Sequence, residues 1–293
     1  MQVCLMSEGE DLPQEHRRLA REVVDLRAQI AAFQSSRWWR LHPRFALRRL
    51  RGERGPLRSS PPEARPTEQL PDDFDEADAE LWHRVAPYTM TTPGKVHALA
   101  RAVEYIVSRP VKGALVECGV WRGGSMMAIA LTLLRLGETD RDLYLFDTFE
   151  GMTEPGKEDV KQGGVPASEL LQRESRDSSI WAVAPIDEVR EAILGVGYSE
   201  ERIHFVQGPV EETLPEHAPE EVAILRLDTD WYSSTKHELV HLYPRLARGG
   251  VLIIDDYAYW RGARQAVDEY IRENDLALFL IRIDHGARVA IKP

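Results

Sequence analysis

From residue 95 onward, short apolar runs alternate with segments of helical period. "ALVEC" (114–118), "LYLFD" (143–147), "IHFV" (203–206), "VAILRL" (222–227) and "VLIID" (251–255) read as strands. Helical patterns cover 123–136, 186–197, 235–247 and 261–273. Strands that are apolar almost throughout must be covered on both faces, so this alternation predicts an α/β fold with a parallel sheet between helices. Two further runs, 277–283 and 287–291, meet at "DHGA" and predict a closing hairpin that adds an antiparallel strand. Residues 151–185 break the alternation with a long polar stretch, and a loop of that length in a compact domain is expected to be a functional lid.

The N-terminal part follows other rules. The chain of 293 residues has a net charge of −11; residues 1–58 hold 12 Lys+Arg and 7 Asp+Glu, or +5, which leaves −16 for residues 59–293. An acidic body of this kind excludes nucleic acid as the main partner, because phosphate binding needs a basic face. Within 14–34, Leu19, Val23, Leu26, Ile30 and Phe33 keep a 4-3-4-3 spacing. That is a coiled-coil seam too short to stand alone, so it is expected to pair with a second copy or with another protein. Residues 37–58 place eight arginines against one glutamate, interleaved with Trp38, Trp39, Leu41, Phe45, Leu47 and Leu50. The segment suits a solvated arm or a docking surface; contact with an anionic membrane surface is the sharper reading, and Pro43 weakens it by interrupting the helix. Residues 55–72, rich in Pro, Ser and charge, read as a linker. The expected organisation is thus an extension at 1–54, a linker at 55–72 and a catalytic domain at 73–293. With two cysteines, no leader-like N-terminus and no apolar run near 18 residues, a cytoplasmic setting is expected.

In open α/β sheets, ligands bind beyond the C-terminal ends of the strands. The first strand presents "VECGVWRGGS", whose Gly119, Gly123 and Gly124 allow close backbone approach and open a helix. A dinucleotide fingerprint needs glycine where Trp121 stands, so a nicotinamide cofactor is disfavoured. The second strand ends in Asp147, an acceptor suited to ribose hydroxyls, and the third leads into Gly208, Pro209 and Val210, which could border a base. In that order the three suit an adenosine cofactor. The fourth and fifth strands end in Asp228 and in Asp255 with Asp256. Neighbouring strands lie about 4.8 Å apart, so three carboxylates could meet on one hard cation. Capping of the following turn and helix is the plainer alternative.

Together "VECGVWRGGS", "LFDTFEGM", "LRLDTDWYSSTK" and "IIDDYAYWRGARQAVDEY" resemble the TylF/MycF (macrocin O-methyltransferase) family over about residues 85–292. The resemblance implies a class I methyltransferase (Rossmann-like) sheet of seven strands, S-adenosyl-L-methionine as methyl donor, and Mg2+ or another divalent cation. It implies a sugar hydroxyl of a natural product or saccharide as acceptor, with a phenolic hydroxyl as alternative. By the same resemblance Thr89 and Met90, after Tyr88, close over the cofactor; Glu117, Gly119 and Ser125 form its turn; and Asp147 takes the ribose. Asp228, Asp255 and Asp256 match the metal ligands, and Asp230 matches a general base; His285 is a second candidate. Two readings compete: "DTD" as the metal motif of a nucleotide-sugar glycosyltransferase, and a scaffold whose main work is done by the N-terminal segments.

Overall fold

The computed structural model describes residues 70–293. The expected coiled coil at 14–34, the basic arm at 37–58 and nearly all of the linker lie outside the described residues. Leu70, assigned to the linker, packs against the domain core.

Helix α1 (Glu76–Val85) starts at a reciprocal capping box: Asp75 accepts from the Asp78 amide at 2.8 Å, and Asp78 accepts from the Asp75 amide. Helix α2 (Pro93–Ser108) is capped by Thr92 and has proline at its first position, where no amide hydrogen is needed. Then β1 (Ala114–Cys118), α3 (Gly124–Arg135) and β2 (Leu143–Asp147) follow. After a long wall segment come α4 (Ala167–Arg173), α5 (Ile186–Leu194), β3 (Ile203–Gln207) and the single turn α6 (Val210–Thr213). The chain closes with β4 (Val222–Leu227), α7 (Tyr232–Leu242), β5 (Leu246–Ile254), α8 (Arg261–Glu273), β6 (Ile281–Arg282) and β7 (Arg288–Ile291).

The seven strands are ordered β3-β2-β1-β4-β5-β7-β6, parallel from β3 to β5, with β7 antiparallel between β5 and β6. This is the class I methyltransferase sheet expected from the sequence. Alternation along the strands gives it two covered faces. Leu115, Leu145, Ile224 and Ile253 pack under α1, α2, α3 and α5; Val116, Phe146, Leu225 and Leu252 pack under α6, α7 and α8. Each such aliphatic side chain is buried almost completely, worth about 1.5–3 kcal/mol apiece.

Several expected boundaries shift; the helix expected over 186–197, for one, ends at Leu194. The helix expected to run to 247 ends at Leu242, because Pro244 cannot continue it, and β5 begins at Leu246. The strand expected at 277–283 shrinks to Ile281–Arg282. Leu276, Leu278 and Leu280 alternate because they pack on the core, while their backbone lies outside the ladder.

Candidate active site

The period of two along a strand decides what gathers at the sheet's C-terminal edge. Leu115 and Glu117, Leu145 and Asp147, Ile224 and Arg226, and Ile253 and Asp255 continue one and the same face. The ladder extends past the strand ends: the Asp228 amide donates to Cys118 O at 2.8 Å, and the Asp255 amide to Leu227 O at 2.9 Å. Asp228 and Asp255 are therefore neighbours by register, and Asp256 follows at the start of the next turn. One ligand oxygen from each of the three lies within 4.8 Å of the others.

Two cations that sequence reasoning missed organise this cluster. Arg226, 3 % exposed, donates to Glu117, to Asp228 Oδ2 at 2.7 Å and to Asp255 Oδ1 at 2.6 Å. Lys95 of α2 donates to Asp255 Oδ2 at 2.5 Å. An arginine inside the apolar run "VAILRL" was the available signal, since a charge in a strand covered on both faces must be paired. Lys95 left no such signal. The carboxyls of Glu117, Asp228, Asp230, Asp255 and Asp256 crowd around only two cations, Arg226 and Lys95. Burial and mutual repulsion push Asp228 and Asp256 well above the usual carboxylate range, whereas Arg226 and Lys95 hold Asp255 below it. The Asp256 Oδ2 atom is buried without a hydrogen-bond partner. An orphaned oxygen, three converging hard donors and carboxyls whose crowding disfavours their ionisation in the absence of a cation together fit a divalent cation.

Asp230 sits apart in conformation. Its backbone is left-handed at φ 67°, a region that aspartate tolerates better than most residues, and Oδ1 accepts the Trp260 indole N–H at 2.6 Å. Burial, reinforced by the Asp228 charge, pushes its pKa up to about 8.

Beside these carboxylates lies a cavity of about 530 Å³. Thr89, Met90, Gly119, Ser125, Asp147, Gly208, Val210, Asp228, Asp230, Asp255 and Asp256 all line it. Glu117, expected at the cofactor, is not among the lining residues: it is 1 % exposed and turned toward Arg226, its register partner on β4. Asp147 reaches the cavity but also builds its floor. Its Oδ2 accepts from the Val120 and Trp121 amides at 2.6 and 3.0 Å, and its Oδ1 from Phe149 at 2.6 Å. Trp121 has φ 49°, a left-handed conformation that is uncommon for a bulky side chain. Gly119 is required for a different reason. A Cβ there would stand 2.0 Å from the Asp228 carbonyl, so the turn after β1 and the end of β4 meet at this glycine.

The opposite wall comes from residues 151–185. Met152, Thr153, Lys161, Ser179, Ile180 and Ala182 line the cavity. Their segment is tied down by Asp159, which is 1 % exposed and accepts from the amides of Gly156 at 2.7 Å and Tyr232 at 2.8 Å. A small apolar cluster of Ala167, Leu171, Trp231, Trp260 and Ala263 backs it. His285 stands at the cavity's edge, its side chain 75 % exposed.

The family model for macrocin-O-methyltransferase (TylF) matches residues 56–290. A demethyldecarbamoylnovobiocin O-methyltransferase of Streptomyces niveus is 33% identical over 197 residues, 67% of this chain and 72% of the relative. An 8-demethyl-8-(2,3-dimethoxy-alpha-L-rhamnosyl)-tetracenomycin-C 4'-O-methyltransferase of Streptomyces olivaceus is 37% identical over 192 residues, 64% of this chain and 69% of the relative. The solved O-methyltransferase NovP superposes with a TM-score of 0.62 at 32% identity, covering 70% of this chain and 82% of that one. The glycosyltransferase and scaffold readings fall with these matches, and the chain belongs to the macrocin O-methyltransferase family as an S-adenosylmethionine-dependent O-methyltransferase.

Proposed function

We propose that this enzyme methylates a hydroxyl of a sugar unit carried by a natural product, with a divalent cation held by Asp228, Asp255 and Asp256 and with Asp230 as the base. The observation that carries this reading is the meeting of those three carboxylates, one with an orphaned oxygen, beside Asp230 on one rim of the cavity. The rhamnosyl acceptor named for the Streptomyces olivaceus relative supports a sugar as substrate.

Methyl transfer from a sulfonium is an in-line displacement at carbon, so alignment of the acceptor oxygen can supply up to about 7–11 kcal/mol. Gly119, Gly208, Met152, Ile180, Tyr259 and Trp260 all line the cavity, and its apolar members limit water around the reacting atoms. A sugar hydroxyl holds its proton tightly, and a bound divalent cation would lower that pKa and fix the oxygen in place. Asp230 then takes the proton. The Trp260 indole N–H donates to Oδ1 at 2.6 Å, which positions the carboxyl at the cavity wall for that transfer. Arg226 and Lys95 keep Asp255 ionised and oriented throughout.

A screen with methyl-labelled S-adenosylmethionine tests the substrate class. Glycosylated natural products should accept label and the matching aglycones should not; label on a phenolic aglycone, with none on the sugar, would overturn it.

A further inference from the structure

The buried stripe of α7 consists of Ser234, Thr235, Glu238, Leu239 and Leu242. Glu238 thus stands at a core position where leucine would be ordinary. Its exposure is 0 %, and its Oε2 has no hydrogen-bond partner. An unpartnered polar atom in a core is destabilising, so a carboxyl retained there calls for a compensating role. Its contact with the neighbouring turn points to that role: Thr229 Oγ1 donates to Glu238 Oε1 at 2.8 Å. Thr229 lies between Asp228 and Asp230, in a turn where Asp230 is held left-handed and the Ser234 hydroxyl donates to Trp231 O at 3.2 Å.

We propose that Glu238 is a positioning residue: its carboxyl fixes the Thr229 hydroxyl, and through it the turn that presents Asp228 and Asp230 to the cavity. Burial pushes the Glu238 pKa well above the usual range, which favours a neutral acid that accepts at Oε1. Cys118 at the end of β1 lies beside it, and burial pushes its thiol pKa up. The helix that covers one face of the sheet therefore reaches through to the site built on the other face.

The test uses the full chain and two readouts. Mn2+ affinity, followed by paramagnetic resonance of the free ion, reports Asp228 and rests on the metal reading above. The indole N–H resonance of Trp260, assigned with W260F, reports Asp230 and does not. T229V keeps the shape and removes the hydroxyl; E238L removes the acceptor; E238Q retains an acceptor oxygen. T229V and E238L should each shift the Trp260 resonance and weaken Mn2+ binding about 10- to 100-fold, as loss of a group that orients a ligand does. The double variant should bind no worse than the weaker single, and E238Q should match the parent. Unchanged readouts in T229V, or an E238Q as impaired as E238L, would overturn the proposal. If E238L does not fold, T229V decides. If the parent takes up no Mn2+, the metal reading fails, and the Trp260 resonance alone decides the role of Glu238.

Discussion

Arg226 is buried and paired with the carboxylates of Glu117, Asp228 and Asp255. A buried cation of this kind adds little net stability when its partners are present, yet its removal leaves their charges uncompensated. Arg226→Met is expected to cost about 3–5 kcal/mol of stability. Urea unfolding would show it as a lower midpoint, and a midpoint equal to the parent's would count against the network as described. Asp230 gives the contrasting case. Asparagine tolerates left-handed backbone and keeps an oxygen for the Trp260 indole, so Asp230→Asn should fold normally. Its kcat should fall by about 10²–10⁴, the usual share of a positioned base, with an unshifted melting temperature. A kcat near the parent's would move the base elsewhere, with His285 the remaining candidate.

At the scale of elements, the segment 151–185 is a wall with its own fastening. Lys161 bridges to Trp260, the Arg261 amide donates to Val160 O at 2.9 Å, and the Trp231 indole donates to Thr153 O at 3.1 Å. Asp159 is the fastener, and Gly262 in the first turn of α8 makes room for it. Exchange of a helical glycine for alanine ordinarily stabilises by about 1 kcal/mol. Here the new Cβ would stand 1.9 Å from Asp159 Oδ1, whose position the Tyr232 amide holds, so the sign reverses. Gly262→Ala should raise the acceptor KM, and limited proteolysis should cut within 151–185 faster than in the parent. Equal cleavage rates would show that the wall does not depend on this contact.

For the whole molecule, the proposed cation joins β4 and β5 at their C-terminal ends, where like charges otherwise meet. Exhaustive treatment with EDTA should abolish activity, and Mg2+ should restore it. Any ligand that binds only the folded state stabilises it, by about 2.7 kcal/mol at a hundred times its Kd. Mg2+ should therefore raise the melting temperature of the parent but not that of Asp256→Asn. Full activity after EDTA would remove the metal from the mechanism. Among the described residues no helix is long and apolar enough to cross a membrane.

Much of this was legible in the sequence. Apolar runs at 114–118, 143–147 and 222–227 match their strands at both ends, because a strand buried on both faces leaves no position for a polar residue except where one is paired. Asp228 past 222–227 and Asp255 past Ile254 were legible for the same reason, since polarity returns abruptly where the strand ends. The segment 277–283 misled because alternating leucines pack a core equally well with or without ladder bonds. Contacts between residues far apart in the chain were beyond reach: Lys95 on Asp255, Asp159 against Gly262, and Glu238 beneath Thr229. The sequence by itself determined the α/β alternation and which carboxylates stand at strand ends, because those follow from local periodicity. Only the tertiary structure decided that Glu117 serves Arg226 rather than the cavity, and how the crowded carboxyls are paired, because pairing and burial depend on register across strands and on which helix covers each face.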